Sequence, residues 1–289
     1  MQSILHPHGP AATEIAGLAW VLFAGGGFVL LLVVAAALVA LRRETPGWLR
    51  TERFVVAAGI AFPIAALSAL LLYVYLVGER LHAAPTAALK IEVVGEQWWW
   101  RVRYADFETA NEIRIPVGQP VELVLRSADV LHSFWVPSLA GKVDMIPGRD
   151  NRLLISAATE GLYRGQCAEF CGGAHALMAL HVLAQSADQF ESWRELQRRP
   201  AAAAPELFRA RCGACHAVRG TQAAGTRGPD LTHVASRAFI AAGTLPNTPG
   251  NMAAWLADSQ HAKPGNLMPA MRLDPAELES LTQYMASLK

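Results

Sequence analysis

Two cysteines and a histidine stand together in the C-terminal third of the chain, in the run Cys212-Gly-Ala-Cys215-His216. Two thiols at this spacing can form thioether bonds to the vinyl groups of a haem, and the adjacent histidine can ligate the iron. A thioredoxin-like redox motif would instead need a βαβ context, which the surrounding sequence lacks. The motif therefore predicts one covalently bound haem c, held by Cys212, Cys215 and His216.

The second axial ligand of such a haem should lie later in the chain, and a thioether ligand would raise the reduction potential. Met268 is the favoured candidate because it precedes a proline, and its segment resembles the methionine loop of small class I cytochromes c. Met271 and Met252 are the alternatives. The run Gly228-Pro229-Asp-Leu231 resembles the loop of the same cytochromes whose proline carbonyl holds the proximal histidine.

A second group of metal-binding side chains falls within the run Cys167-Ala-Glu-Phe-Cys171-Gly-Gly-Ala-His175-Ala-Leu-Met178, and His132 stands earlier in the chain. Thiolate, imidazole and thioether donors suit copper, and the methionine argues against a purely structural zinc site. Two alternatives remain open. One is a disulfide between Cys167 and Cys171 across a tight loop. The other is a zinc site of two cysteines and two histidines, which would leave Met178 and Glu169 without a role.

Two uncharged runs precede these sites and predict a transmembrane hairpin within residues 1–85, with spans at about 15–41 and 54–77. At 1.5 Å per residue, each run exceeds the roughly 30 Å of a hydrocarbon core. The loop between them carries four arginines, whereas residues 1–14 contain no lysine or arginine. The positive-inside rule therefore places the loop in the cytoplasm and both termini outside. The four arginines are Arg42, Arg43, Arg50 and Arg53.

The remaining chain divides into two exported modules. Short alternating segments bounded by glycine and proline predict an all-β sandwich or Greek-key barrel over residues 86–199. A proline-bounded linker, residues 200–205, leads to an all-α module of residues 206–289. There, Asp274-Pro275-Ala-Glu277 predicts the start of the last helix. With 25 basic and 24 acidic residues, the chain lacks the polycationic surface of a nucleic-acid-binding protein.

Residues 14–199 resemble subunit 2 of cytochrome c oxidase. The resemblance rests on the helical hairpin and on these motifs: Gln97-Trp98-Trp99-Trp100, Asp129-Val-Leu-His132-Ser133, Val136-Pro137-Ser138-Leu139, Ile146-Pro147-Gly148-Arg149 and Gly165-Gln166-Cys167 onward. It implies a cupredoxin-like domain that holds the dinuclear copper centre CuA. The implied ligands are Cys167 and Cys171 as bridges, His132 and His175 through one nitrogen each, Met178 as a weak thioether, and Glu169 through its backbone carbonyl.

The module behind this domain resembles the class I cytochrome c domain of caa-type haem–copper oxidases. The resemblance implies a subunit of a proton-translocating respiratory oxidase in the bacterial inner membrane. Electrons would pass from an external cytochrome c through haem c and CuA to the oxygen-reducing subunit 1, with subunit 3 as a further partner. Trp98 is implied as the point where electrons reach CuA. The Glu169 side chain is implied to face a magnesium ion shared with subunit 1, and Glu52 is the nearest acid to the family's proton-channel glutamate.

Two other functions remain as alternatives. A nitrous oxide reductase also carries CuA, but the membrane hairpin and the missing histidine-rich catalytic domain disfavour it. A membrane copper-binding or copper-delivery protein needs no haem, so Cys212, Cys215 and His216 disfavour it. A quinol oxidase subunit shares the implied fold but would lack the cysteines and the haem.

Overall fold

The structure is a computed structural model, and it describes residues 3–41, 46–82, 87–201 and 203–289. Arg42 and Arg43 of the basic loop, and Ala202 of the predicted linker, lie outside the described residues. The chain divides into two compact units. One consists of residues 13–85, and the other of residues 1–12 together with 86–289.

Long apolar helices dominate the unit of residues 13–85. The first is α1 (Pro10–Ala40), and the second runs from α2 (Glu52–Val56) through a π-helical segment (Ala57–Ala61) into α3 (Phe62–His82). Both are long and apolar enough to cross a membrane, over Pro10–Ala40 and Glu52–Leu81, and their most apolar stretches are unburied. Both helices begin before the predicted spans, and the second also ends after its predicted span.

Residues 89–185 form two five-stranded sheets, with the strand orders β3-β2-β1-β5-β8 and β4-β10-β9-β6-β7. The pairs β1–β5 and β4–β10 are parallel, and the other neighbours are antiparallel. The strands are β1 (Leu89–Glu96), β2 (Trp99–Arg103), β3 (Glu108–Ala110), β4 (Glu112–Pro116), β5 (Val121–Ser127), β6 (His132–Trp135), β7 (Val143–Met145), β8 (Asn151–Ile155), β9 (Gly161–Cys167) and β10 (Ala179–Gln185).

Alternation along the strands builds the core of this sandwich. Ile91 and Val93 of β1 are fully buried and lie beside Leu123 and Leu125 of β5. Side chains from both sheets and from the following helix α4 (Ala187–Arg198) join them in one apolar cluster. Each strand thus turns one face inward, as expected for two packed sheets. The architecture confirms the predicted cupredoxin-like sandwich.

Residues 203–289 are mainly helical. They contain α5 (Glu206–Arg211), α6 (Pro249–Ala257), α7 (Ser259–Ala262) and α8 (Pro275–Ser287), with a short hairpin of β11 (Phe239–Ile240) and β12 (Leu245–Pro246). Phe208, Leu256 and Leu281 anchor an apolar cluster of their own. Asp274 and Glu277 form a reciprocal capping box at the start of α8, which confirms the predicted start of that helix.

Candidate copper and haem sites

The sequence-predicted copper donors lie together between the start of β6, the end of β9 and the loop after β9. The Sγ atoms of Cys167 and Cys171 are 3.8 Å apart. His132 Nδ1 lies 3.8 Å from Cys167 Sγ, and His175 Nδ1 lies 3.5 Å from Cys171 Sγ. The remaining two donors are Met178 Sδ, 3.8 Å from Cys171 Sγ, and the carbonyl oxygen of Glu169, 3.2 Å from Cys167 Sγ.

This pocket stabilises a thiolate. The pKa of Cys167 is lowered to about 3, because its thiolate accepts hydrogen bonds from the Cys171 thiol and from the His132 ring. Both cysteines are free and buried, and 3.8 Å between their sulfurs is far beyond the roughly 2.05 Å of a disulfide. Because the thiolate is the form that binds metals, the donor set and its electrostatics fit a copper centre.

Asp129 and Gln97 hold these donors in place, a role that the sequence motifs containing them do not reveal. Asp129 Oδ1 lies 2.8 Å from His132 Nε2 and fixes the orientation of the ring. Gln97 Nε2 and Trp98 Nε1 donate to the carbonyl oxygen of Cys171 at 2.7 and 3.0 Å. Such outer contacts orient metal ligands. Trp98 is therefore one hydrogen bond away from a copper-donor residue.

The haem motif follows α5 directly. Cys212 is buried, and burial raises the pKa of its thiol to about 11. His216 Nδ1 lies 2.8 Å from the carbonyl oxygen of Pro229, so Nδ1 carries the proton and Nε2 is left to bind iron. Burial also lowers the pKa of His216, which favours the neutral ring that a metal requires.

A cavity of about 710 Å³ lies beside Cys212, Cys215 and His216. Its lining is largely apolar, and the buried guanidinium of Arg237 borders it. Arg237 donates to the carbonyl of Asp230, but its Nε has no hydrogen-bond partner among the described residues. A haem is an apolar ring with anionic propionates. A large apolar cavity with an unsatisfied buried cation fits that chemistry.

The methionines take different positions around the cavity. Among the described residues, Met268 and Met252 line it and Met271 does not. Met252 belongs to α6, whereas Met268 lies in the loop after α7. The backbone of Met268 is fixed on both sides: its N–H donates to Asn266 Oδ1 at 2.8 Å, and its carbonyl accepts from Gln260 Nε2 at 3.0 Å.

The sandwich supplies another wall of the same cavity, through Glu96, Gln97, Trp98 and Trp99. Polar contacts join the sandwich to the helical part, and several use buried side chains. They are Arg101 Nη2 to Thr226 O (2.7 Å), Arg114 Nη2 to Ser236 O (2.7 Å), the N–H of Ala238 to Glu112 Oε2 (2.8 Å) and the N–H of Ala179 to Ala242 O (3.0 Å). The cavity beside the haem motif thus opens against Trp98, whose indole donates to the carbonyl of the candidate copper donor Cys171.

His181 lies within this contact surface. It is 4% exposed, and its ring stacks on Phe239 with ring centroids 4.0 Å apart. Its neighbours across the sheet are Glu112 on β4 and Arg164 on β9. Burial, with a smaller contribution from Arg164, lowers the pKa of His181 to about 4. The ring is therefore neutral at neutral pH.

We expect acid to destabilise the chain through His181. Its folded pKa of about 4 lies below the unfolded value of 6.5, so unfolding takes up a proton between these values. The free energy of unfolding has its full value above pH 6.5, and it falls by up to about 3 kcal/mol as the pH drops towards 4. Denaturant titrations across this range should show a smaller fall in His181→Gln than in the wild type. His261→Gln, at an exposed position, is the control, and equal pH profiles for all three chains would contradict the assignment.

A sandwich with a buried cysteine–histidine cluster, joined to a helical domain with a haem-binding motif, defines a two-centre redox protein. Residues 107–185 match the family model of cytochrome c oxidase subunit II, periplasmic domain, and residues 201–289 match that of cytochrome c. The chain therefore carries the periplasmic domain of cytochrome c oxidase subunit II followed by a cytochrome c domain, which confirms the resemblance drawn from its sequence. These two domains imply copper and haem.

Individual relatives agree with the family matches. The chain is 39% identical over 211 residues to cytochrome c oxidase subunit 2 of Alkalihalophilus pseudofirmus, covering 69% of this chain and 61% of the relative. It is 33% identical over 225 residues to the same subunit of Bacillus subtilis, covering 70% and 63%. The crystal structure of the periplasmic domain of subunit II of cytochrome oxidase from Bradyrhizobium japonicum aligns with a TM-score of 0.39 and 34% identity, covering 39% of this chain and 96% of that one.

The chain thus spans about three fifths of the length of these curated relatives. Its two apolar helices and its match to a periplasmic domain indicate a membrane-anchored protein with a periplasmic part.

Proposed function

We propose that the chain is the subunit through which electrons enter a respiratory cytochrome c oxidase. It accepts them from an external cytochrome c and passes them through haem c and CuA to the oxygen-reducing subunit 1. The observation that carries this proposal is the common boundary of the two sites: the haem cavity is lined by Trp98, whose indole donates to the carbonyl of Cys171. Oxygen reduction and proton translocation belong to the assembled complex.

We assign the copper ligands from the donor distances. Cys167 and Cys171 would hold the copper ions through their thiolates, and His132 and His175 through one ring nitrogen each. Met178 would add its thioether and Glu169 its backbone carbonyl. When bound, a dinuclear centre with two shared thiolates accepts and releases one electron with little change in geometry. The surrounding residues, Asp129 and Gln97 above all, keep the ligands in their positions.

A haem c would be held by thioethers to Cys212 and Cys215, and His216 and Met268 would ligate its iron. The hydrogen bond from His216 to the Pro229 carbonyl orients the histidine ring. Arg237 would neutralise a propionate, because this buried residue lines the cavity and its Nε has no hydrogen-bond partner among the described residues. These residues bind and orient the group and exclude water from it.

Subunits 1 and 3 are the proposed membrane partners. The Glu169 side chain is only partly buried, while the carbonyl of the same residue lies against Cys167. Glu169 can therefore bind copper through its backbone carbonyl and bind a magnesium ion shared with subunit 1 through its carboxylate. We place the chain in the bacterial inner membrane, with both termini on the periplasmic side. The proposed domains are the hairpin 1–85, the copper domain 86–199, the linker 200–205 and the cytochrome domain 206–289.

Cofactor content tests the proposal directly. The purified chain should contain two copper ions and one haem, measured by metal analysis, and it should give the optical and EPR spectra of a mixed-valence copper pair and a low-spin haem. The haem should stay on the denatured chain, because thioether bonds survive unfolding. Zinc in place of copper, or a haem that extracts into acidic acetone, would contradict the proposal.

A further inference from the structure

Lys263 is a buried lysine that the proposed ligand sets leave unused. It follows α7 in the cytochrome part and is 3% exposed. Its Nζ donates to the backbone carbonyl of Trp98, at 2.5 Å. Burial lowers the pKa of Lys263 to about 7, and both the charged and the neutral amine retain N–H groups for this bond. A lysine is rarely buried so fully, so the two segments that this hydrogen bond joins indicate the role of Lys263.

On the sandwich side, the bond ends at a segment fixed to the copper site. Trp98 Nε1 donates to the carbonyl of Cys171 at 3.0 Å. The preceding residue, Gln97, donates to the same carbonyl through its side chain and to Asp129 Oδ2 through its backbone N–H, at 2.6 Å. Asp129 in turn holds His132. Trp98 is therefore held in a fixed position beside the copper donors Cys171 and His132.

On the cytochrome side, the bond begins at the loop that carries Met268. The carbonyl of Lys263 accepts from Asn266 Nδ2 at 2.8 Å, and Asn266 Oδ1 accepts from the N–H of Met268 at 2.8 Å. The backbone N–H of Lys263 donates to Ser259 O at 3.0 Å. Lys263 is thus held by the same short loop that presents Met268 to the haem cavity.

We propose that Lys263 is the positioning residue that fixes the loop carrying Met268 (the methionine loop) against Trp98 and, through Trp98, against the loop after β9 that carries Cys171 (the copper loop). A continuous path of hydrogen bonds and backbone runs from Met268 through Asn266, Lys263 and Trp98 to Cys171. The rate of electron transfer falls steeply with distance, so a bond that sets this separation controls transfer between the two centres. The inference rests on the proposed function, since it assumes that electrons pass from haem c to copper within one chain.

The test compares Lys263→Met, Lys263→Arg and the control Lys142→Met in the full chain with both cofactors bound. Methionine keeps the unbranched apolar stem of lysine but lacks the terminal donor, whereas arginine keeps a donor. Lys142 is an exposed lysine of the sandwich. Flash reduction of the haem, followed by optical detection of copper reduction, gives the internal transfer rate. Haem optical and copper EPR spectra report whether each centre is intact.

We expect Lys263→Met to slow internal transfer by about tenfold or more, because the buried carbonyl of Trp98 loses its donor and the loop that carries Met268 moves away from Trp98, a separation on which the transfer rate depends steeply. Both spectra should be unchanged, and Lys263→Arg and Lys142→Met should transfer at nearly the wild-type rate. A wild-type rate in Lys263→Met would overturn the inference. Lys263→Leu, which also lacks a donor, replaces the methionine variant if that variant loses a cofactor, and it is judged by the same rate. A wild-type chain without any internal transfer would overturn the proposed function itself.

Discussion

Replacing Met268 with alanine should leave the haem iron with an open coordination position and lower its reduction potential. Axial ligands set haem potentials over a range of about 0.8 V, so the loss of one thioether should shift the potential by on the order of 0.2 V. The variant should bind exogenous ligands such as carbon monoxide or imidazole, which the six-coordinate wild type excludes. Potentiometric titration and ligand-binding spectra measure the two effects.

Met271→Ala is the matched control, because Met271 lies three residues further along the same loop and does not line the cavity among the described residues. It should change neither the potential nor ligand binding. Met252→Ala removes a methionine of α6 that does line the cavity, and it should lower stability without opening the iron. Ligand binding in either of these variants, with a normal spectrum in Met268→Ala, would reassign the axial position.

The sequence predicts the donors, and it predicts strands at residues 90–94, 98–104, 112–115, 121–126, 152–155 and 178–183, but not the strand that carries Cys167. The strand β9, which ends in Cys167, contains Gly161 and Gly165, and glycine weakens a strand signal. The structure shows why Gly165 is needed: a Cβ there would lie 2.8 Å from a Val136 methyl group and 2.9 Å from the Trp135 carbonyl. Gly165 therefore allows β6 to approach β9 closely, which brings His132 to Cys167. The same glycine weakens the alternating pattern from which β9 could be predicted.

The copper loop shows the same conflict between local pattern and site geometry. Gly172 has a φ of +110°, and a Cβ there would lie 3.1 Å from both Gln97 Nε2 and Trp98 Cζ2. The residue type gave no indication of these two partners, because they stand more than seventy positions earlier in the chain. Motif spacing identifies ligands that are close in sequence. It does not identify the residues that orient them from a distant turn, here the turn between β1 and β2.

The contact between the sandwich and the cytochrome part was the least predictable feature. A proline-bounded linker suggested a tether, yet Lys263 and Arg101 cross between the two parts as buried donors. Both side chains donate to backbone carbonyls. Every residue has a backbone carbonyl, so a sequence pattern cannot indicate which one accepts the bond. His181 lies on β10, and its ring packs on Phe239 of the cytochrome part.

Truncation after Arg199 should leave a folded copper domain that no longer receives electrons from within the chain. Among the described residues, the apolar cluster of the sandwich contains nothing beyond Trp193, and all proposed copper ligands precede the cut. The truncated chain should therefore keep its copper EPR spectrum. Its reduction should depend on an added cytochrome c, whereas the full chain carries its donor docked against Trp98.

The expected difference is large. A short linker gives an effective donor concentration of roughly millimolar, so about 10 μM of free cytochrome c should reduce the truncated chain about a hundredfold more slowly. Removal of the cytochrome part also uncovers Arg101 and Arg114, together with the glutamates that pair with them. Docking of a free donor on this charged surface should weaken with salt, since the Debye length shrinks from about 10 Å at 0.1 M to about 3 Å at 1 M. The full chain should be much less sensitive, because its donor cannot diffuse away. Stopped-flow reduction of copper in both forms measures the contrast, and equal rates without added cytochrome c would show that electrons reach copper by a route that bypasses haem c.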